Sequence, residues 1–485
     1  MTGPHDSKVC GKHGSLGGIP VLRSAVSCPV VSVPSSAATD AAREPLPVLG
    51  HDVRVPLATG GEVTYAPLDY AASAPALRRV WDDVAAYAPY YGSVHRGAGR
   101  LSQLSTEVFE WSRETVARFL GCREGDQVVF TRSTTDSLNL LASVLPEGTR
   151  VFVFESEHHA SLLPWRDRPT TWLDAPRSPQ HAVASLEEAL HAAPQGPKLV
   201  CVTGASNVTG EVWPVAELAA AAHRHGARIV LDAAQLAPHR PLDLARSGVD
   251  WVALSGHKLY APFGAGVLAG RADWLRSGEP YLAGGGASSR VARAADGGVR
   301  VEWRYGPARH EAGSPNVIGA YALASACRAL TEAGRDRIAA REAELTGLLL
   351  DSLARVPGVR VLRLFAEGAD RVGVVSFVVD GWDASRLSAA LSAEYGIGVR
   401  DGLFCAHPLV RKLLGAEEDG GGCGDGELNA VRASLGAGTP EEHVRRFAAA
   451  VRELVRHGPQ LRYRRTEDGR WAPEEPEPAV RRAAG

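Results

Sequence analysis

The stretch "VALSGHKLY", residues 252–260, decides how this chain folds. Its apolar start reads as a strand buried on both faces, the kind found inside parallel sheets. The run then ends in Ser255, Gly256, His257 and Lys258. An ammonium at the mouth of a core strand is costly unless something receives it. Either Lys258 snorkels to water or the strand delivers its amine into a pocket, and this segment alone leaves both open.

Outward from it, similar β-branched runs recur: "DQVVFT", "RVFVFES", "KLVCVTG", "ARIVLDAA", "DWVALSG" and "GAGVLAG". Between them, "SLEEALHAA" and "VAELAAAAHRHG" carry apolar residues at spacings of three and four, the mark of amphipathic helices. The alternation predicts an α/β fold with a mostly parallel sheet flanked by helices. In such sheets ligands collect beyond the carboxyl ends of the strands.

From about residue 326 the pattern changes. A long amphipathic helix with Ile338, Leu345, Leu349, Leu353 and Val356 on one face leads into "GVRVLRL", "VGVVSFVVD", the helix "DASRLSAALSAEYG" and the short strand "IGVRDG". The last helix opens at "TPEEHVRRF", where Thr439 can cap, Pro440 takes the first helical position and Glu442 completes a capping box. The expected organisation is a large domain over 76–325 and a smaller α/β domain from 49–75 and 326–465. Residues 1–48 and 466–485, rich in small residues and proline without periodicity, read as disordered extensions.

The 485 residues carry 45% hydrophobic and 22% charged side chains and a net charge of −2, an ordinary globular balance. No basic surplus points to nucleic acid, and no apolar run is long enough to span a membrane. Arg23, Pro29 and Pro34 interrupt the one N-terminal stretch with signal-peptide flavour. Seven cysteines (10, 28, 122, 201, 327, 405 and 423), odd in number and without CxxC spacing, argue against a disulfide framework and a zinc site. A reducing cytoplasm is the expected location.

Polar residues gather at the strand ends. Asp232 and Gln235 follow one strand, Asn207 another, and His158 and His159 a third. Ser133, Thr134 and Thr135 stand at a strand-to-helix junction, where free N–H groups and hydroxyls suit an anion. Singly, each is an ordinary cap or turn residue. An anion site, a buried acid, an imidazole and a lysine at successive ends of one sheet together match pyridoxal phosphate catalysis. There a lysine forms a Schiff base, a carboxylate pairs with the pyridinium nitrogen, and donors hold the phosphate.

Ordered motifs over residues 62–457 sharpen this: "LDYAASAP" (68–75), "GSVHRG" (92–97), "FTRSTTDSLNL" (130–140), "EHHASLLPW" (157–165), "SNVTGE" (206–211), "LDAAQ" (231–235), "SGHKLYAPFGAGVL" (255–268), "GGG" (284–286), "EAGSPN" (311–316), "CAHP" (405–408) and "RASL" (432–435). With these the chain resembles the class V aminotransferase branch of fold-type I pyridoxal phosphate enzymes, and within it the cysteine desulfurase and selenocysteine lyase group. The resemblance implies that Lys258 carries the cofactor, Asp232 faces its ring nitrogen, Gln235 its phenolic oxygen, Asn207 lies near the ring and His158 stacks on it. Thr134, Thr135, Ser255 and His257 would surround the phosphate, and Ser314 would reach the phosphate of the other subunit of a homodimer with shared sites. Cys405 would attack the substrate's sulfur to give a persulfide and alanine, Arg432 and Arg400 would serve the amino-acid substrate, and an acceptor protein would take the sulfur.

Two departures stand out. Relatives in the group often have His immediately before the reactive Cys, where this chain has Leu403 and Phe404. The "RASL" strand is usually followed by Tyr-Asn or Phe-Asn, where this chain has "GAGT" (436–439), preceded by the Gly-rich "EDGGGCGDGE" (418–427). Aminotransferases, C–S lyases and epimerases share the scaffold, so a class V aminotransferase or C–S lyase acting on another amino acid is the alternative reading.

Overall fold

The computed structural model describes residues 44–95, 97–415 and 428–474. Most of the expected N-terminal extension, Cys10, Cys28, Arg96, Cys423, the Gly-rich stretch and the last residues lie outside them. Two short strands, β1 (Arg54–Pro56) and β2 (Glu62–Thr64), form a hairpin, and β3 (Ala66–Pro67) follows it. The apolar runs form seven strands: β4 (Gln127–Thr131), β5 (Arg150–Phe154), β6 (Thr170–Leu173), β7 (Lys198–Thr203), β8 (Arg228–Asp232), β9 (Trp251–Ser255) and β10 (Gly266–Gly270). They make one sheet in the order β4-β10-β9-β8-β7-β5-β6. Only β10 is reversed in it, pairing antiparallel with both β4 and β9.

Side chains alternate across this sheet as the strand period requires. Trp251 and Ala253 of β9 join a core with Val129, Val153 and Val230, whereas Val252 and Leu254 join the opposite core with Phe154, Val200 and Leu231. Both faces are covered by helices, which is why these strands are apolar at nearly every position. Helices α1 (Arg78–Tyr87) and α2 (Arg100–Phe119) precede the sheet. The crossovers are α3 (Thr134–Ser143), α4 (His159–Leu162), α5 (Pro179–Ala192), α6 (Val215–Arg224) and α7 (Leu244–Ser247). After β10 come α8 (Ala272–Ser277) and a separate hairpin, β11 (Ser288–Arg293) with β12 (Val299–Trp303).

The long helix expected from 326 is two helices, α9 (Val317–Glu332) and α10 (Arg335–Ala354). They are split at Gly334, whose φ of 84° is a left-handed conformation that glycine adopts without penalty. A second sheet follows, antiparallel throughout, in the order β13-β14-β17-β16. Its strands are β13 (Val359–Val361), β14 (Val374–Val379), β16 (Arg400–Gly402) and β17 (Ala430–Ser434), while β15 (Ile397–Gly398) pairs with β3. Helices α10, α11 (Ala384–Tyr395) and α13 (Glu441–His457) pack on it around Phe377, Leu349, Leu391 and Phe447. α12 (His407–Leu414) packs with the loop before it against Val208 and Ala430.

Helix α13 starts without the expected capping box. Its N-cap is Pro440 with no side-chain cap, and the Thr439 hydroxyl instead accepts from Gly436 N at 2.9 Å. At the edges of the expected extensions the chain is packed. Leu46 N donates to Ala437 O, Val48 is buried, and a hairpin of β18 (Tyr463–Arg465) and β19 (Trp471–Pro473) continues past residue 466.

Candidate active site

Strands β4, β5, β7, β8 and β9 point their carboxyl ends the same way, so the residues that follow them converge. After β4 the chain turns into α3 with Ser133 as an extended N-cap, its hydroxyl accepting from Asp136 N at 3.3 Å. Thr134 N donates to the Ser255 hydroxyl at 2.7 Å, and the two hydroxyls lie 2.8 Å apart. Gly266 makes this close approach feasible, because a Cβ there would fall 2.6 Å from the Ser133 backbone. The N-terminal turn of α3, with the hydroxyls of Ser133, Thr134 and Thr135 beside that of Ser255, forms a cradle for a phosphate-like anion.

Past β9 the backbone turns tightly at Gly256, whose N donates to Ala265 O and where a Cβ would come within 2.7 Å of that same oxygen. The turn places His257 and Lys258 at the cavity wall. Burial pulls the Lys258 pKa down to about 8, reinforced by Arg432 and Arg400 and opposed by Asp232 and Cys405. Opposite it, Asp232 is buried, with Oδ1 accepting from Ala234 N at 2.9 Å and Oδ2 from the Ser161 hydroxyl at 2.8 Å. Gln235 is fixed by its Nε2 donating to Ala71 O at 2.8 Å.

His158 caps α4: its Nδ1 accepts from Ala160 N at 3.0 Å, which leaves the ring hydrogen on Nε2. Burial, then the nearby Lys258 cation, push its pKa to about 3, so the ring is neutral at physiological pH.

The second sheet supplies the remaining wall. Arg400 and Arg432 are directly paired across β16 and β17. Arg432 is buried, donating through Nη1 to Asn207 O at 3.1 Å and through Nη2 to Asp69 Oδ1 at 3.0 Å, with its guanidinium 5.1 Å from the centre of the Phe404 ring. Its Nε has no partner, an uncommitted buried donor that suits an anionic ligand. Burial lowers its pKa, an effect Asp69 opposes.

Cys405 is exposed, on a segment that is pinned on several sides. Asn207 Nδ2 donates to Phe404 O at 2.8 Å, His159 N to Cys405 O at 2.8 Å, and Ala406 N to Leu403 O at 2.9 Å. Phe404 and Cys405 both have φ of 53°, a left-handed conformation costing a non-glycine residue about 1 kcal/mol or more. The burial of Phe404 beneath Arg432 and an ion pair between Lys412 and Glu155 hold the turn and α12 in place.

One cavity is lined by Ser133, Thr134, Thr135, His158, Asn207, Asp232, Gln235, Ser255, His257, Lys258, Arg400, Cys405 and Arg432. Of the residues expected at the site, only Ser314 lies outside it, in an exposed loop. That loop is anchored by Glu311, buried against Arg113 at 2.7 Å. Sequence reading missed Ser161, Asp69 and the packing use of Phe404. A serine in a helix and a carboxylate in a turn carry no local signal for a partner 71 or 363 residues away. The altered "GAGT" has a steric reason. A Cβ on Gly436 would meet the Tyr70 ring at 2.3 Å and the Tyr260 hydroxyl at 2.7 Å, while one on Gly438 would meet Val48 at 2.6 Å.

The donor set fits pyridoxal phosphate: an anion cradle at one end, a carboxylate at the other, a partly neutral amine on the wall and a neutral imidazole beside them.

Comparison with known proteins agrees. The aminotransferase class-V family matches residues 66–447. A probable cysteine desulfurase of Aeropyrum pernix is 36% identical over 407 residues, covering 80% of this chain and 94% of that one. The apo structure of a cysteine desulfurase from Thermococcus onnurineus NA1 superposes with a TM-score of 0.71 at 32% identity, covering 81% of this chain and 94% of its own. A cysteine desulfurase from Escherichia coli, solved in an S-sulfonic acid form, gives 0.68 at 30%, with coverage of 80% and 94%.

Proposed function

The chain belongs to the class V aminotransferase family, and we propose from this that it is a pyridoxal phosphate-dependent cysteine desulfurase, converting L-cysteine to L-alanine with Cys405 as the sulfur acceptor. The observation that carries the reading is the sharing of one cavity by Lys258, Asp232, Arg432 and Cys405. When bound, pyridoxal phosphate supplies an electron sink for the pair released at the substrate's Cα.

This chain's residues do the rest. Ser133, Thr134, Thr135, Ser255 and His257 would hold the phosphate, and Asp232 would pair with the ring nitrogen. Gln235 and Asn207 would serve the ring, and His158 would add a neutral imidazole beside it without adding charge. Lys258, with its pKa drawn down to about 8, has a substantial neutral fraction. Its amine would therefore be the group that holds the cofactor, and it can accept the substrate's Cα proton.

Arg432 takes the substrate carboxylate through its free donors, and Arg400 adds positive charge beside it. The Cys405 thiolate then attacks the substrate's sulfur. An S–S bond forms as the Cβ–S bond breaks, and a proton delivered to Cβ completes alanine. L-Selenocysteine would enter the same site. Ser314, exposed and outside its own chain's cavity, is assigned to the cavity of a second copy, making the working unit a homodimer. The exposed Cys405 suits hand-over to an acceptor protein. Among the described residues no helix is long and apolar enough to cross a membrane, and the cytoplasm is the assigned compartment.

The test is product analysis. The protein loaded with pyridoxal phosphate and given L-cysteine with a thiol reductant should release alanine and sulfide in equal amounts. A keto acid, with conversion of the cofactor to its aminated form, would instead mark an aminotransferase. A second expectation follows from Asp232. Asp232→Asn should keep the cofactor, because the phosphate cradle is untouched, yet lose about 3 kcal/mol of barrier stabilisation, roughly a hundredfold in kcat. Near-normal turnover would contradict the assigned contact.

A further inference from the structure

Asp232 is positioned by a side chain that the reaction itself does not use. The Ser161 hydroxyl, wholly buried on α4, donates to Asp232 Oδ2 at 2.8 Å, while Ala234 N occupies Oδ1. Ser161 is itself fixed from behind, its carbonyl accepting from Trp165 Nε1 at 2.7 Å. We propose that Ser161 is a positioning residue that holds the Asp232 carboxylate in one plane against the cofactor's ring nitrogen. The inference rests on the pyridoxal phosphate reading above.

The surroundings show why such a donor is needed. The groups that face Asp232 are Lys258 from the end of β9, Glu157 from the end of β5 and Cys201 from β7. Glu157 is fully buried, with Oε1 accepting from Thr203 N at 2.9 Å and Oε2 without a partner. Burial, helped by Asp232, pushes the Glu157 carboxyl well above its ordinary range, and burial with Glu157 and Asp232 beside it raises the Cys201 thiol likewise. Asp232 thus sits beside a second acid in an apolar floor. Among the described residues, Ser161 is, apart from the Ala234 amide, the hydrogen-bond donor to its carboxylate. Removing that hydroxyl leaves a buried carboxylate oxygen unpaired and free to reorient.

The test uses the holoprotein with Ser161→Ala and Ser161→Cys. The cysteine variant has nearly the native volume and a poor donor, so it preserves packing should alanine loosen the fold. The visible absorbance of the bound cofactor is titrated against pH, and kcat and KM for L-cysteine are measured beside it. With the ring nitrogen's proton held less firmly, the Schiff-base nitrogen retains its own proton more easily. The absorbance midpoint should therefore rise by about half a pH unit or more in the alanine variant, and less in the cysteine variant. kcat should fall about tenfold, with KM within about twofold because Arg432 is untouched. Midpoints and kcat equal to wild type in both variants would overturn the positioning role and leave the cofactor reading intact. A wild-type protein with no cofactor absorbance would overturn both.

Discussion

Replacing Lys258 with alanine should abolish covalent cofactor capture and cut turnover by at least about ten-thousandfold, since in the proposed reaction one amine serves as both nucleophile and base. The proposed phosphate cradle of Ser133, Thr134 and Ser255 does not involve Lys258, so the cofactor should still bind reversibly. Borohydride reduction followed by peptide mass analysis separates the two modes. Wild type should carry the reduced cofactor on the peptide containing Lys258, and the variant should carry none. Cofactor fixed to a different lysine in wild type would end the assignment.

The same lysine has a stability signature in the cofactor-free protein. Its folded pKa of about 8 lies below the unfolded 10.5, so between those values the unfolded chain binds more protons. A lysine lowered in this way costs stability at every pH below about 8, and the cost is recovered as the pH climbs toward 10.5. With some relief from water in the open cavity, the cost at neutral pH is about 2 kcal/mol. Lys258→Met, which keeps the bulk without the charge, should therefore raise the apo-protein's stability by about that amount at pH 7, with the gain fading above pH 9. Denaturant unfolding at several pH values reads this directly.

Much of this site could be read along the chain because its parts stand at strand ends, where an apolar run is interrupted by a polar residue that the run itself does not explain. Lys258, Asp232, Asn207 and His158 were each legible in that way. The reversal of β10 was not, because a buried strand is apolar whichever way it runs, and only the short turn Gly256–Ala265 sets its direction. Nor was the break at Gly334, where a single glycine inside a helical pattern could equally have been tolerated. The failed capping box at Thr439 has a tertiary cause. The hydroxyl is claimed by Gly436 N in the turn that lets Tyr70 and Tyr260 pack. Contacts such as Ser161 with Asp232 and Asp69 with Arg432 depend on how the sheets are brought together, and no local pattern encodes them.

Phe404 shows how a departure from the family's pattern can be absorbed. Where the resemblance leads one to expect a histidine before Cys405, this chain has an aromatic ring that packs on Arg432 and fixes the turn. Any proton donor beside Cys405 must then come from elsewhere. His407, two residues past Cys405, meets the His159 ring edge to face with centres 4.5 Å apart, and His159 N already holds Cys405 O.

Cys405→Ala separates sulfur transfer from every other reaction this scaffold could run. The variant keeps Lys258, Asp232 and Arg432, so it should bind cofactor and show the spectral change of wild type on adding L-cysteine. Alanine fits the left-handed φ of 53° no worse than cysteine does, so the turn should hold its shape, and loss of function cannot be blamed on a disordered segment. Without the thiolate, persulfide cannot form and release of sulfide and alanine should fall by at least about a thousandfold, the scale expected when a nucleophile is removed from a preorganised site. L-Selenocysteine should be turned over with a smaller loss, because selenium leaves carbon more readily without being attacked. An aminotransferase or simple lyase would treat position 405 as a small residue on a turn, and its turnover would change less than severalfold. Alkylation of wild type after one turnover, followed by mass analysis of the peptide containing Cys405, should show the added sulfur. Its absence, with the variant as active as wild type on L-cysteine, would remove the desulfurase reading while leaving the fold and the cofactor site as described.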